Sequence, residues 1–389
     1  MKNSYFSRET TGALKGIALV LMFVHHFFTF PGWITCGVEY PWIQEFTNQF
    51  CAPTDICVCL FAFLTGYLFF FSPGTLRYGL RKITDFLLSY WLVAVPMIAA
   101  AALLGCFTLS RNGVLAELLG VRNQVMSFCW YVYFYCIIMV LLPLLTRRES
   151  SSPVLDALFL LIVPTVLLSA WEPREFRDIP HAVAWNLRQW YPCVAVGWLF
   201  AKYSLFEKWF DGFWGATEKS GIVQQVFLPV VLLWIAFRGR YYISYLVAGD
   251  VTFRGSDYPV RLTTDILNAP IFLFAGAKLL NLHPGNLATR VLRKIGDKSM
   301  LMWFFHCLFF NCMESYTQWL LYLPRNPILV LVWGLAMCWL LAYAVEPVRK
   351  FLIDLKHRLF CKLSDFRKSE SVGTLYPGLL SNPYIFSAL

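Results

Sequence analysis

Leu14–His26, LKGIALVLMFVHH, decides how the rest of the chain is read. It is an almost wholly aliphatic run with a cation at one end and paired histidines at the other. Lys15 and His26 lie eleven positions apart. At about 100° and ~1.5 Å per residue this places them on nearly one helix face, roughly 16 Å apart along the axis. His25 is expected to project well away from that face. A helix of this kind crosses a bilayer with Lys15 near one interface and His26 in the hydrocarbon, where an ionisable side chain is costly and marks a functional position. The plainer alternative is that the histidines bond neighbouring carbonyls inside a bundle.

Outward from this run the chain stays apolar. Over 389 residues, 58% are hydrophobic, 18% aromatic and only 14% charged, which excludes an ordinary soluble domain. Ten apolar runs of membrane-crossing length follow one another, near 13–30, 51–72, 84–106, 128–145, 153–170, 185–203, 222–239, 263–281, 298–322 and 327–348. The expectation is an all-α polytopic bundle of about ten transmembrane helices, with one transmembrane domain over 1–353 and a cytoplasmic tail over 354–389 that is poorly ordered from Leu363 on. A net charge of +10 raises nucleic acid as a partner, but the placement of the cations argues against it. With the N-terminus inside and ten alternating spans, 23 Lys and Arg fall on inner segments and ten on outer ones. That asymmetry predicts a multi-pass protein of the cell membrane with both termini cytoplasmic. No small-x-small cleavage site follows the first run, so a retained helix is expected there. The cysteines show no metal-ligand spacing; Cys36 with Cys51, or Cys106 with Cys129, could close outer loops, or all could be buried free thiols.

Several motifs carry chemistry or close packing. In FAFLTGYLFFF, residues 61 to 71, Thr65 and Gly66 are small among large aromatics and admit a neighbouring helix. Arg77 and Arg81 are four apart, so on a helix they share a face and can grip one polyanion, or they serve only as a topology signal. Trp130 and Tyr131 precede Pro143 in an aromatic helix, and Gly197 offers a further packing position. LRKIGDKSMLMWFFHCLFF, residues 292 to 310, carries Gly296, Ser299, Trp303 and His306; Asp297 and Ser299 are placed to cap the helix start. His306 meets the same intramembrane cost as His26. The last span ends in Glu346, Pro347 and Arg349. The outer segments 31–50 and 171–185 bring aromatics and mixed charge suited to a polar ligand.

Taken in order, these motifs resemble the acyltransferase-3 family of integral membrane acyltransferases. Lys15 and Gly16 with His26 match its opening basic residue, glycine and histidine, with Lys for the usual Arg. Thr65, Gly66 and Tyr67 resemble its second-helix motif. Gly296, Ser299, Trp303 and His306 resemble its ninth. The resemblance implies transfer of an acyl group, usually acetyl, from cytoplasmic acyl-coenzyme A to a hydroxyl of a cell-surface carbohydrate or glycolipid. Acyl-CoA is then a co-substrate, with no bound cofactor and no metal. The acceptor, the lipid bilayer and glycan-biosynthesis proteins are the implied partners. His26 is the expected catalytic base, because histidine is the side chain best poised near neutral pH to take a hydroxyl proton. Lys15, Arg77 and Arg81 are expected to bind the donor. His25, Trp130, Ser299, His306 and Glu346 are supporting positions. A transporter or flippase for a glycoconjugate or small polar solute is the alternative, since intramembrane charge also marks substrate pathways. A partner that recruits a polymer synthase is a third reading, under which Lys15 and His26 would be dispensable.

Overall fold

The computed structural model describes residues 6–38, 51–121, 124–147, 151–170, 179–211, 222–248, 258–283 and 285–370, and among them it is helical without strands. In chain order the main helices are α1 (Arg8–Phe28), α2 (Ile56–Phe70), α3 (Leu76–Leu103), α4 (Arg111–Leu119), α5 (Tyr131–Leu145), α6 (Pro153–Ala170), α7 (Ile179–Lys202) and α8 (Ile222–Ala248). They continue as α9 (Tyr258–Leu282), α10 (Leu287–Asp297), α11 (Ser299–His306), α12 (Glu314–Leu321) and α13 (Pro327–Glu370). Among the described residues, six stretches are long and apolar enough to cross a membrane: Arg8–Phe28, Pro53–Phe70, Leu76–Leu103, Pro153–Ala170, Thr264–Leu282 and Pro327–Leu359. Their lipid-facing sides leave side chains such as Val154, Leu167 and Ile328 exposed. That is the arrangement of a membrane helix bundle, in which hydrocarbon takes the place of water and backbone polar groups must be satisfied within each helix.

Helix starts follow local polar signals. Ser7 accepts from the Thr10 amide at α1, Thr75 from the Tyr78 amide at α3, and Asn286 from the Thr289 amide at α10. Each takes up one of the four donors that a helix N-terminus leaves without an intrahelical partner. α11 differs from expectation. Its N-cap is Lys298, with no side-chain cap bond, and Asp297 instead lies 3.9 Å from Arg293.

Two expectations are corrected. The run 298–322 is not one span: after His306 the helix tightens to a 3-10 turn, Phe310 is extended, and Asn311 takes the left-handed region at φ 52°. An apolar run continues through that point, but the backbone does not. At the other end α13 continues through Glu370, so residues 363 to 370 are helical where an irregular tail is expected. Residues 371–389, most of the outer segment 31–50, and 171–178 lie outside the described residues.

Glycines set the closest helix crossings. A methyl at Gly66 of α2 would lie 1.9 Å from the Val194 carbonyl oxygen of α7, and one at Gly197 of α7 would lie 2.1 Å from the Phe63 oxygen. α1 and α10 meet in the same way, with Gly16 against the Leu292 oxygen at 2.0 Å and Gly296 against the Gly12 oxygen at 1.8 Å. Only hydrogen side chains allow such backbone approach. One apolar core gathers around α2, α5, α7 and α9, the other around the histidine end of α1 with α3, α11 and α13.

Candidate active site

A cavity of about 500 Å³ opens beside α1, walled by α2, α3, α5, α7 and α11. Its two ends differ in chemistry. α1 contributes Lys15 at one end and His25 and His26 at the other, roughly 16 Å of helix apart. α2 runs antiparallel to α1: the Phe6 and Tyr67 rings meet at 5.2 Å beside the start of α1. Asp55, which precedes α2, therefore belongs to the histidine end. Lys82, nearly two turns into α3, joins Lys15 at the cationic end, and its ammonium lies 5.5 Å from the Tyr78 ring centre.

At the histidine end the ring nitrogens form a directed chain. His306, fully buried on α11, bonds the Trp303 carbonyl through Nδ1, and its Nε2 lies 2.8 Å from His26 Nδ1. A carbonyl can only accept, so His306 Nδ1 carries the proton. In the neutral ring, His306 Nε2 is then an acceptor and His26 Nδ1 donates to it. The remaining nitrogen of His26, Nε2, is left as a bare lone pair for a ligand in the cavity. The two imidazole planes are within 12° of parallel with centroids 4.8 Å apart, and the Phe128 ring packs against His26 at 4.2 Å and against His306 at 5.5 Å. His26 is thus held in tautomer and in orientation.

The structure sorts the residues expected from sequence. Lys15, His25, His26, Trp130 and Ser299 all line the cavity. His25 departs from expectation, because the cavity wraps widely enough around the end of α1 to include a side chain about 100° from His26; its Nδ1 also lies 3.2 Å from the Thr29 hydroxyl. His306 stands behind His26 rather than in the wall. Glu346 forms a bidentate pair with Arg349 at 2.7 and 2.8 Å and sits 3.5 Å from Lys298. It ties α13 to the start of α11, next to Ser299, and does not line the cavity. Arg77 and Arg81 are exposed on the first turns of α3 and lie outside the wall, where Tyr78 and Lys82 take their place. Asp55, Lys82 and the pair Thr65 and Tyr131, whose hydroxyls lie 3.2 Å apart, are among the wall residues that the motif reading does not assign to the site. Cys36, Cys51, Cys106 and Cys129 are free thiols, so neither disulfide forms.

This arrangement can place an anion near Lys15 and Lys82 and remove a proton at His26, the two events separated along one helix. A family model described as an acyltransferase domain matches residues 12–353. No curated protein and no solved structure matches the chain.

Proposed function

The chain belongs to the acyltransferase-3 family and is a membrane acyltransferase, and on that premise we propose that it moves an acyl group, acetyl in the first instance, from cytoplasmic acyl-coenzyme A to a hydroxyl of a cell-surface carbohydrate or glycolipid. The observation that carries this reading is the directed chain from the Trp303 carbonyl through His306 to His26, set in a cavity whose far end holds Lys15 and Lys82. The donor enters with its phosphates at the lysines and its pantetheine arm along α1. His26 Nε2 takes the proton of the acceptor hydroxyl as its oxygen attacks the thioester carbonyl. His306 Nε2 accepts from the Nδ1 proton of the imidazolium that results. As the carbonyl reforms, the C–S bond breaks, the ester is left on the acceptor, and His26 returns its proton to the coenzyme A thiolate. Cavities of about this size are typical of small-molecule sites. The Lys15 end then faces the cytoplasm and the histidine end the outer leaflet, in keeping with the positive-inside distribution.

Mass spectrometry of surface glycans and glycolipids from cells with and without the gene tests the reading. An acyl group lost with the gene and restored by the intact chain is expected. Unchanged acyl content in every glycan fraction, with export of an unmodified solute lost instead, would replace the acyltransferase reading by the transporter.

A further inference from the structure

We propose that the Tyr131 hydroxyl, its proton directed to Thr65, is an acceptor-only site in the middle of the cavity that takes an amide N–H of the donor's pantetheine arm. The inference rests on the acyl-transfer reading for the identity of the ligand, and it adds a residue that recognises the arm between its phosphates and its thioester.

The argument begins with a count of protons. Thr65 Oγ lies 2.8 Å from the Phe61 carbonyl oxygen, one turn back on α2, and 3.2 Å from the Tyr131 hydroxyl. The carbonyl can only accept, so the one proton of the Thr65 hydroxyl goes to Phe61. Tyr131 is then the donor to Thr65, which makes a one-way chain from Tyr131 through Thr65 to the Phe61 carbonyl. Among the described residues, Thr65 is the one hydrogen-bond partner of the Tyr131 hydroxyl. The single proton of that hydroxyl is used, and the capacity left on its oxygen can only accept. Both side chains line the cavity.

Neighbouring contacts place this oxygen between the two ends. Thr65 stands two positions before Tyr67, whose ring meets Phe6 beside the start of α1 at 5.2 Å, so it leans toward the cationic end. The Tyr131 ring packs edge-on against Trp303 at 5.9 Å, and the Trp303 carbonyl holds His306, so Tyr131 leans toward the histidines. The two hydroxyls meet in the stretch between, beside Met22, Val58, Leu64 and Met300 of the wall. A pantetheine arm reaching from the lysines to His26 passes this point and carries two amide N–H groups. Each loses its water on entering, and one left unpaired in apolar surroundings is costly. A sugar hydroxyl can donate or accept, whereas an amide N–H only donates, so an oxygen that only accepts fits the amide. The committed proton also sets Tyr131 apart from the donors that would stabilise the oxyanion formed as the thioester is attacked.

The test uses the purified full chain in lipid vesicles with S-acetonyl-coenzyme A, which carries a ketone on a thioether in place of the thioester and cannot transfer an acyl group. Two further probes replace the N–H of one or the other arm amide by an ester oxygen, and displacement of radiolabelled coenzyme A reads the binding of all three. The wild type is expected to bind one ester probe about three- to tenfold more weakly than the parent, the scale of one neutral hydrogen bond. Tyr131→Phe keeps the ring and its packing; it should bind the parent more weakly by a similar factor and no longer discriminate between the probes. Thr65→Val returns the Tyr131 proton to the cavity and should also erase the discrimination, whereas Thr65→Ser should keep it. In acetyl transfer by Tyr131→Phe, the loss should appear in the KM for acetyl-CoA rather than in kcat. Equal binding of the three probes by the wild type overturns the proposal and requires no variant. Discrimination that survives in Tyr131→Phe overturns it as well, as does a kcat loss of about 10²-fold at an unchanged KM, which would make Tyr131 an oxyanion donor. Absence of coenzyme A binding overturns the proposal together with the acyl-transfer reading; amide-sensitive, Tyr131-dependent binding without acetyl transfer to any glycan keeps the site while that reading fails.

Discussion

His306, which stands behind the wall, is singled out by its Nδ1 bond to the Trp303 carbonyl, because that bond fixes which nitrogen of His26 is free. His306→Ala should therefore lower kcat by about 10²-fold or more while donor KM holds, since it removes the partner that orients the base and accepts from its Nδ1 proton. His306→Gln, able to accept from His26 Nδ1 through its amide oxygen, should recover part of the rate; steady-state kinetics of the two variants in vesicles checks this. Lys15→Met should raise the KM for acyl-CoA with a smaller change in kcat, and Lys15→Arg should keep function because guanidinium is the better bidentate phosphate ligand. Lys82→Met should act like Lys15→Met, whereas Arg77→Ala and Arg81→Ala should change donor KM by less, because both arginines are exposed outside the wall. Donor titration ranks all four. Lys15 and His26 are legible in the sequence because a single helix carries both and helical spacing alone relates them. The basic cluster of Arg77, Arg81 and Lys82 is legible too, but not that Lys82 is the member in the wall, since which face of α3 turns inward is set by the Gly79 contact with the Met139 carbonyl oxygen on α5, 2.1 Å from where a methyl would sit. Asp55 reads as an ordinary helix-start carboxylate, and only the antiparallel packing of α2 on α1 brings it to the histidines.

Among the elements, the crossing of α2 and α7 depends on Gly66 and Gly197 facing each other's carbonyl groups. Gly66→Val must push the helices apart and should destabilise the detergent-solubilised protein by about 1–3 kcal/mol, read as a lower midpoint in a thermal aggregation assay. Glu117, on α4, is 1% exposed and takes the backbone amides of Gln124, Val125 and Met126. That clamp fixes the segment leading to Phe128, the ring stacked on His26. Glu117→Ala leaves those amides without their acceptor and should cost roughly 2–4 kcal/mol, with loss of activity following loss of folded protein rather than a change in KM. The long apolar helices are legible because hydrocarbon forces each crossing segment to satisfy its own backbone, so length and hydropathy suffice. The break after His306 is not legible, because Phe309, Phe310 and Met313 keep the apolar pattern while the turn at Asn311 ends the helix. Gln318 then closes the region: its amide oxygen accepts from the Thr35 and Cys36 backbone, and its amide nitrogen donates to the Trp33 carbonyl. Partners 282 to 285 positions away in sequence leave no local signal.

For the molecule as a whole, the account joins a cationic end and a basic histidine through one cavity, with the bilayer between the two sides they serve. Its orientation is testable apart from activity: in a cysteine-depleted background, Asn112→Cys should be labelled by an impermeant maleimide added outside cells, and Ser151→Cys should be labelled only after the membrane is opened. The reverse pattern would turn the cavity around and place the donor end outside. The most direct test of the central claim is the rate of acetyl transfer from radiolabelled acetyl-CoA to surface glycan in membrane vesicles containing His26→Ala at wild-type abundance. The account predicts a loss of about 10²–10⁴-fold with an unchanged KM for acetyl-CoA, the scale of a missing general base; a rate near that of the wild type would remove His26 from the chemistry.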